Sequence, residues 1–580
     1  MASDLSRVTD FPNFNDISVT SREACSEQAT SVIDEVTRIV PSLSPEHPIP
    51  CRLSPELLAA IFLDYMQQYD HLLTYTMSTV PPWVNVSYVC RYWRSVALNC
   101  ANLWTQLFFV SSKWMDELLR RSKTAPLIIY LDLYCLKPTP WQICCLEKAL
   151  GRMERIQDLW INCGCSKDVL SMIHARLTAA APLLRSLHLA TYEDEEDRDG
   201  EDHFIICKDM LPGVSLRKLH LELCDVNWSS PVFNGLTELS LSFVLSDVRE
   251  CWDGLLLLLS QLPLLRQLCL KYILPLAYIP FANWFINTEN TTKVSLCQLE
   301  KLTLTDPIPW VTTLLARLEF PRSTIVRVEC NCDDPEDISL FVPFMEGRFS
   351  SHLSLPQSNP SPQSMFRALI FRRSNESGAT WGVMCGISNL AITNETKNVF
   401  LEEQEQDSHF ALQIIFNRMN QEVSLGRMIP LLRALPLRHL NAVTLYSDIE
   451  GPFDDQNIWT EVFSDAPELQ IIKVGYGCAN MLTHALQPRD GVIFAPALTD
   501  IGFKEIEISL QRKCRGEESH EHDTGCFQCL YDALASRMEA GSVLQRLFLH
   551  TCYGITASEI AKLSEVVGRV EWGITEDFWA

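Results

Sequence analysis

Between residues 514 and 529 the chain reads CRGEESHEHDTGCFQC. Cys514, His520, His522, Cys526 and Cys529 are thiol and imidazole side chains, the types that hold zinc tetrahedrally. Cys526 and Cys529 have the C-x-x-C spacing, but no second cysteine pair flanks Cys514, and the stretch is densely charged. The spacing falls short of a full zinc-ligand pattern. A solvated insertion is the preferred reading, and no metal or other cofactor is expected. A second cluster, YEDEEDRDGEDHF at 192–204, is strongly acidic. It reads either as a contact for a basic target or, preferably, as a solvated loop held out by its own charge repulsion. No P-loop, Gly-rich dinucleotide turn, H-E-x-x-H or G-x-S-x-G is present, and the scattered histidines define no triad. The expectation is a protein without catalytic residues.

The totals bound the rest. The chain has 580 residues, room for several domains or a repeat array, and 47% hydrophobic residues, which is globular composition. A formal net charge of −24 argues against nucleic acid or an anionic membrane as partner, since phosphate-rich surfaces need a basic face. The opening MASDLSRVTDFPNFND has neither a basic start nor an apolar core, so no secretory signal is read there. The 22 cysteines are therefore expected as reduced, mostly buried thiols in a cytoplasmic or nuclear protein. The greasiest run, LLLLLSQLPLL from Leu255 to Leu265, is too short to span a bilayer and is interrupted by Gln261 and Pro263. It reads as a buried helix end.

Elements follow from the patterning. Residues 1–45 are polar and weakly patterned and are expected to be flexible, and PSLSPEHPIP is a proline-rich linker. RLSPELLAAIF, residues 52–62, reads as a helix start. Ser54 is the N-cap, Pro55 sits at the first helical position where its missing N–H is harmless, and Glu56 lies in the first turn. Leu57, Leu58, Ile61 and Phe62 then form an apolar stripe in a helix over 54–69. A second helical face is predicted from Val86, Val89, Cys90, Trp93, Val96 and Ala97, with Asn99 and Asn102 at the helix end and the next cap.

From about residue 110 onward a block with apolar positions at i, i+3 and i+5 recurs. Strong copies are IQDLWI (Ile156, Leu159, Ile161), LRSLHL (Leu184, Leu187, Leu189), LRKLHL (Leu216, Leu219, Leu221), LTELSL, LRQLCL, LEKLTL and LQRLFL (Leu544, Leu547, Leu549). Weaker copies are IVRVEC, FRALIF, LNAVTL, LQIIKV and LTDIGF, with a long gap between the copies at Leu369 and Val443. About a dozen such blocks, many spaced by roughly 20 to 35 residues, imply a repeat array. Each unit is a short strand with a returning helix or loop; none buries its own apolar face, so neighbours stack on one core. The last two apolar positions, two residues apart, point inward from the strand.

The block resembles the leucine-rich repeat, L-x-x-L-x-L. In that family an Asn or Cys follows the last Leu by three residues and satisfies buried backbone groups; Cys224 and Cys552 stand there, and most other copies lack it. The segment LSPELLAAIF followed by VCRYWRSVALNCANLW resembles the F-box through Leu53, Glu56, Leu57, Leu58, Ile61 and Phe62, then Val89, Cys90, Trp93, Arg94, Ala97, Leu103 and Trp104. The Trp after Ala-Asn-Leu is most similar to the F-box-like proteins abundant in mushroom-forming fungi. Two departures stand out. The family's Leu-Pro pair is here Leu53-Ser54, with the proline displaced to Pro55, and the segment between the two helices is longer than in a compact F-box.

The resemblance implies an α/β chain with a flexible segment over 1–45, a small helical F-box-like module over 46–110 and an irregular leucine-rich-repeat solenoid over 111–580. It implies a substrate-receptor subunit of a Skp–cullin–F-box ubiquitin ligase, which binds the Skp adaptor and through it a cullin, and holds a protein target on its repeats. A helical unit of about 60 residues has too little interior to hide every apolar side chain, which fits a partner-covered face. The candidate adaptor-binding residues are Leu53, Pro55, Leu57, Leu58, Ile61, Phe62, Val89 and Trp93, with a place in the module's own core as the competing reading for Ile61 and Trp93. The alternatives are an interaction scaffold without a ligase role and, less favoured, a hydrolase or metal enzyme centred on the Cys/His loop.

Overall fold

The computed structural model describes residues 53–68, 82–107, 109, 111–133, 138–164, 167–192, 205–206, 210–211, 214–243, 252–274, 293–331, 335–349, 368–374, 381–388, 410–419, 429–435, 437–447, 458–475, 479–488, 492–506, 508–509 and 525–573. The reading of 1–45 and most of the acidic run at 192–204 therefore lie outside the described residues. The protein is α/β, with extensive parallel sheet. It divides into two compact units, Met1–Leu236 and Thr237–Ala580. That division falls inside the 111–580 segment of the sequence reading.

The first unit begins with helix α1 (Pro55–Gln68), a 3-10 segment (Pro82–Tyr88), α2 (Arg91–Asn99) and a 3-10 turn (Ala101–Trp104). Strands β1 (Gln106–Leu107), β2 (Leu127–Asp132), β3 (Ile156–Gly164), β4 (Ser186–Tyr192) and β5 (Lys218–Glu222) then lie side by side in chain order, every pair parallel. Parallel neighbours require a crossover. Helices α3 (Ser112–Arg121), α4 (Pro140–Leu150) and α5 (Lys167–Leu177) supply the returns up to β4. The inner positions of the recurring block stack in register: Ile129, Leu159, Leu187 and Leu219 form one row, and Leu131, Ile161, Leu189 and Leu221 the next. All eight are buried.

In the second unit β6 (Glu238–Ser242), β7 (Gln267–Lys271), β8 (Lys301–Thr305) and β9 (Ile325–Asn331) pair side by side in chain order, every pair parallel. Here the order changes. Strands β10 (Ala368–Ser374), β11 (Trp381–Ser388) and β12 (Phe410–Met419) enter in reverse, so that β9 pairs with β12, β12 with β11, β11 with β10, and β10 with β13 (Ala442–Ser447). β11 runs antiparallel to both neighbours, and its register shifts at each end. Parallel pairing resumes through β14 (Ile471–Gly475), β15 (Asp500–Lys504), β16 (Arg546–His550) and β17 (Arg569–Gly573). Among the described residues, the sequence gap between the copies at Leu369 and Val443 holds two extra strands, while Leu369 and Val443 themselves are directly paired.

A backbone device repeats with the strands. Thr237 O accepts from the N–H groups of both Arg266 and Gln267, Asn441 O from Gln470 and Ile471, and Thr499 O from Gln545 and Arg546. Each carbonyl satisfies two donors where the chain enters the next strand. At the strand exits, Leu223, Phe243, Tyr272, Glu505 and Thr551 all have positive φ between 47° and 57°. Each stands two residues past the second inner position, and the chain turns there although none is glycine.

Candidate functional site

The start of α1 is built as its residue types dictate. Ser54 Oγ accepts from Leu57 N–H at 3.3 Å and Ser54 O from Leu58 N–H at 3.0 Å. The first-turn backbone N–H and then the Ser54 hydroxyl hold the Glu56 carboxyl below its usual range. Tyr92 Oη donates to Leu53 O at 2.7 Å and ties the entry of α1 to α2.

The two helices and the 3-10 segment close over an aromatic interior. Leu58, Phe62, Trp83, Val86, Trp93, Ala97, Leu103 and Trp104 are buried. Phe62 and Trp93 pack with centroids 5.2 Å apart, and Trp83 meets Trp104 edge to face at 5.5 Å. Trp104 Nε1 donates to Ala97 O at 2.8 Å. The Arg121 guanidinium of α3 lies 4.3 Å over the Trp104 ring and bonds Glu117 at 2.5 Å. Burial lowers the Arg121 pKa, while the bond from Arg120 is the largest cause holding the Glu117 carboxyl down.

The predicted second helical face is corrected here. Val86 belongs to the 3-10 segment, Cys90 is extended at φ −156°, and α2 starts only at Arg91. Cys90 Sγ accepts from Trp93 N–H at 3.4 Å and acts as the N-cap. Asn99 ends α2 and its side chain returns to Ser95 O.

This geometry sorts the candidate adaptor-binding residues. Leu58, Phe62 and Trp93 lie inside the module and offer no surface to a partner; their role is packing. Leu57 is 58% exposed and Pro55 is exposed, while Leu53, Ile61 and Val89 are half-buried. Leu57 and Ile61 are one helical turn apart and share a face. Tyr88, 44% exposed at the end of the 3-10 segment, adds an aromatic the sequence reading did not select.

A second arrangement was also missed. The positions between the inner leucines of β2 to β5 place Tyr130, Trp160, His188 and His220 in register on the opposite sheet face. Their rings form a ladder, with centroids 5.4 Å apart for Tyr130–Trp160, 3.5 Å for Trp160–His188 and 3.9 Å for His188–His220. Burial, and then the neighbouring His220, push the His188 pKa down to about 2, so the ladder carries no charge at that position. One row further, Tyr130 Oη and Asn162 Nδ2 donate to Asp132 at 3.1 and 3.0 Å, and Glu222 occupies the β5 position. The signal was present in the sequence, as the middle letters of DLWI, SLHL and KLHL, but only strand register joins them.

Cys224 Sγ lies 3.7 Å from Leu189 O and 3.3 Å from Glu222 O, and Cys552 Sγ 3.5 Å from both Phe503 O and His550 O. Each thiol thus meets the carbonyls of its own and the preceding strand. Of the Cys/His cluster, Cys514, His520 and His522 lie outside the described residues. Cys526 ends a two-residue strand paired with Ile508–Ser509, and Cys529 lies in the helix Phe527–Glu539. Among the described residues no group of three or more His, Cys, Asp or Glu side chains is placed to hold a metal ion. No described helix is long and apolar enough to cross a membrane. The chain matches no protein-family model, and a search of curated proteins finds no match.

Proposed function

We propose that the chain is a non-catalytic substrate receptor of a Skp–cullin–F-box ubiquitin ligase. In this reading the α1–α2 module is an F-box-like adaptor-docking unit and the stacked strands are an irregular leucine-rich-repeat solenoid that holds a protein target. The observation that carries the first half is the division of α1 into two faces. Leu58 and Phe62 lock the module, while exposed Leu57 and half-buried Ile61, one turn apart, form an apolar strip on its outer side. Apolar side chains held side by side in solvent are covered at least cost by a partner.

The second half is supported by the register of the inner leucines and by the two cysteines that bond successive strand ends. The partly exposed rings of Trp160 and His220, with Asp132 and Glu222 in the next row, offer a surface for a target. The contribution of such a receptor is proximity, raising the local concentration of target lysines near a charged ubiquitin carrier. The second reading is an interaction scaffold that binds the adaptor without ubiquitin transfer.

Reconstitution separates the two. The purified chain, the Skp adaptor, a cullin–RING pair and ubiquitin-conjugating components are combined with proteins captured through the strand face. The receptor reading expects cullin to co-elute with the chain only when the adaptor is present, and captured protein to be ubiquitinated. Adaptor binding without cullin recruitment or transfer leaves the scaffold.

A further inference from the structure

Among the described residues β17 is an edge strand and pairs with β16 alone. Its inner positions Val570 and Trp572 continue the rows of Leu547 and Leu549. Those leucines are buried, whereas Val570 is half-exposed and Trp572 is 47% exposed. On the other face Arg569 and Glu571 pair at 3.1 Å. Gly568 N–H donates to Leu544 O at 3.0 Å, so strand alternation turns the N–H and C=O groups of Arg569 and Glu571 away from β16. Open edges are commonly blunted by unmatched charge, proline or a bulge. The charges here are of opposite sign, and the strand RVEWG contains no proline.

The stretch Gly568 to Trp572 is complementary to itself when reversed. We propose that two copies of this chain associate by pairing β17 antiparallel about Val570. In that register Arg569 lies opposite the partner's Glu571 and Glu571 opposite the partner's Arg569, both as hydrogen-bonded pairs. Val570 meets the partner's Val570. Trp572 lies over the partner's Gly568, where a side chain is excluded because a Cβ would stand 2.8 Å from Gln545 O. A register centred on Glu571 puts two glutamates face to face, so charge selects Val570. So short a strand pair covers far less than the roughly 800 Å² per partner of a stable interface, and the dimer is reversible. This inference does not depend on adaptor docking.

The test is sedimentation velocity of the full chain from about 1 to about 100 µM, beside Arg569→Glu and Glu571→Arg, with folding checked by circular dichroism. The wild type is expected to shift toward dimer with concentration. Each single variant brings like charges into opposition and weakens association about tenfold or more. An equimolar mixture of the two variants restores association, because each then meets the opposite charge across the pair; repairing the Arg569–Glu571 contact within one chain cannot do this. A wild type that stays monomeric throughout overturns the proposal and leaves the edge to residues 574–580 or a foreign strand. Single variants that dimerise like the wild type, or a mixture that fails to reassociate, overturn it equally.

Discussion

Leu57 and Leu58 are consecutive on α1 and opposite in environment: Leu57 is 58% exposed and Leu58 is 0% exposed. Ser54 and Pro55 fix the first turn, and that turn decides which leucine faces in. Chemically identical residues therefore have separable roles. Leu58→Ala is expected to lower the stability of the module by about 2 to 5 kcal/mol, the range for a buried leucine, and Leu57→Ala by no more than about 0.5 kcal/mol. Urea unfolding followed by tryptophan fluorescence reads both, since Trp83, Trp93 and Trp104 lie in that interior. Equal losses would mean that the turn does not hold as described.

The histidine ladder predicts acid sensitivity. Folding pushes His188 from its ordinary 6.5 down to about 2 through burial and then His220. Between those values the unfolded chain binds the proton and the folded chain does not. The contribution of His188 is therefore complete above pH 6.5 and is lost as pH falls from there toward about 2. The slope approaches about 1.4 kcal/mol per pH unit in the steepest part. His188→Phe keeps a stacking ring and is expected to flatten that part of the stability curve. An unchanged slope would remove His188 as its source.

Thiol reactivity should divide the cysteines by place. Burial raises the Cys552 thiol to about 11 and also raises Cys145, while Cys144 and Cys297 are exposed. At pH 8, iodoacetamide followed by mass spectrometry is expected to label Cys144 and Cys297 about tenfold or more faster than Cys552 and Cys145. Denaturation should erase the difference. Rapid labelling of Cys552 in the folded chain would contradict its place between the Phe503 and His550 carbonyls.

What was legible in the sequence was whatever apolar spacing alone determines. Leu159, Leu187 and Leu219 declared their inward face by alternation, and α1 by its cap and proline. Spacing did not reveal where the second helix begins, because Cys90 interrupts an apolar pattern that runs straight through Val86 to Ala97. Nor did it reveal strand order. FRALIF and LNAVTL are spatial neighbours, but the antiparallel β11 and the displaced β12 lie between them in the chain. The left-handed turns at Phe243, Tyr272 and Glu505 fall on residue types whose propensity gives no warning of them. The candidate docking residues rest on the resemblance to the F-box, and a motif match does not say which of its members point outward. Burial of Leu58, Phe62 and Trp93 supplies that.

In the proposed reading the outer face of α1 docks the Skp adaptor. The most direct test of that docking is the affinity of the full chain for the purified adaptor, compared with Leu57→Ala combined with Ile61→Ala, both shown to be folded by circular dichroism. The expected result is saturable binding by the wild type and a loss of about tenfold or more in the folded double variant, the scale of removing two apolar anchors from an interface. No binding by the wild type, or equal binding by the two, would contradict it.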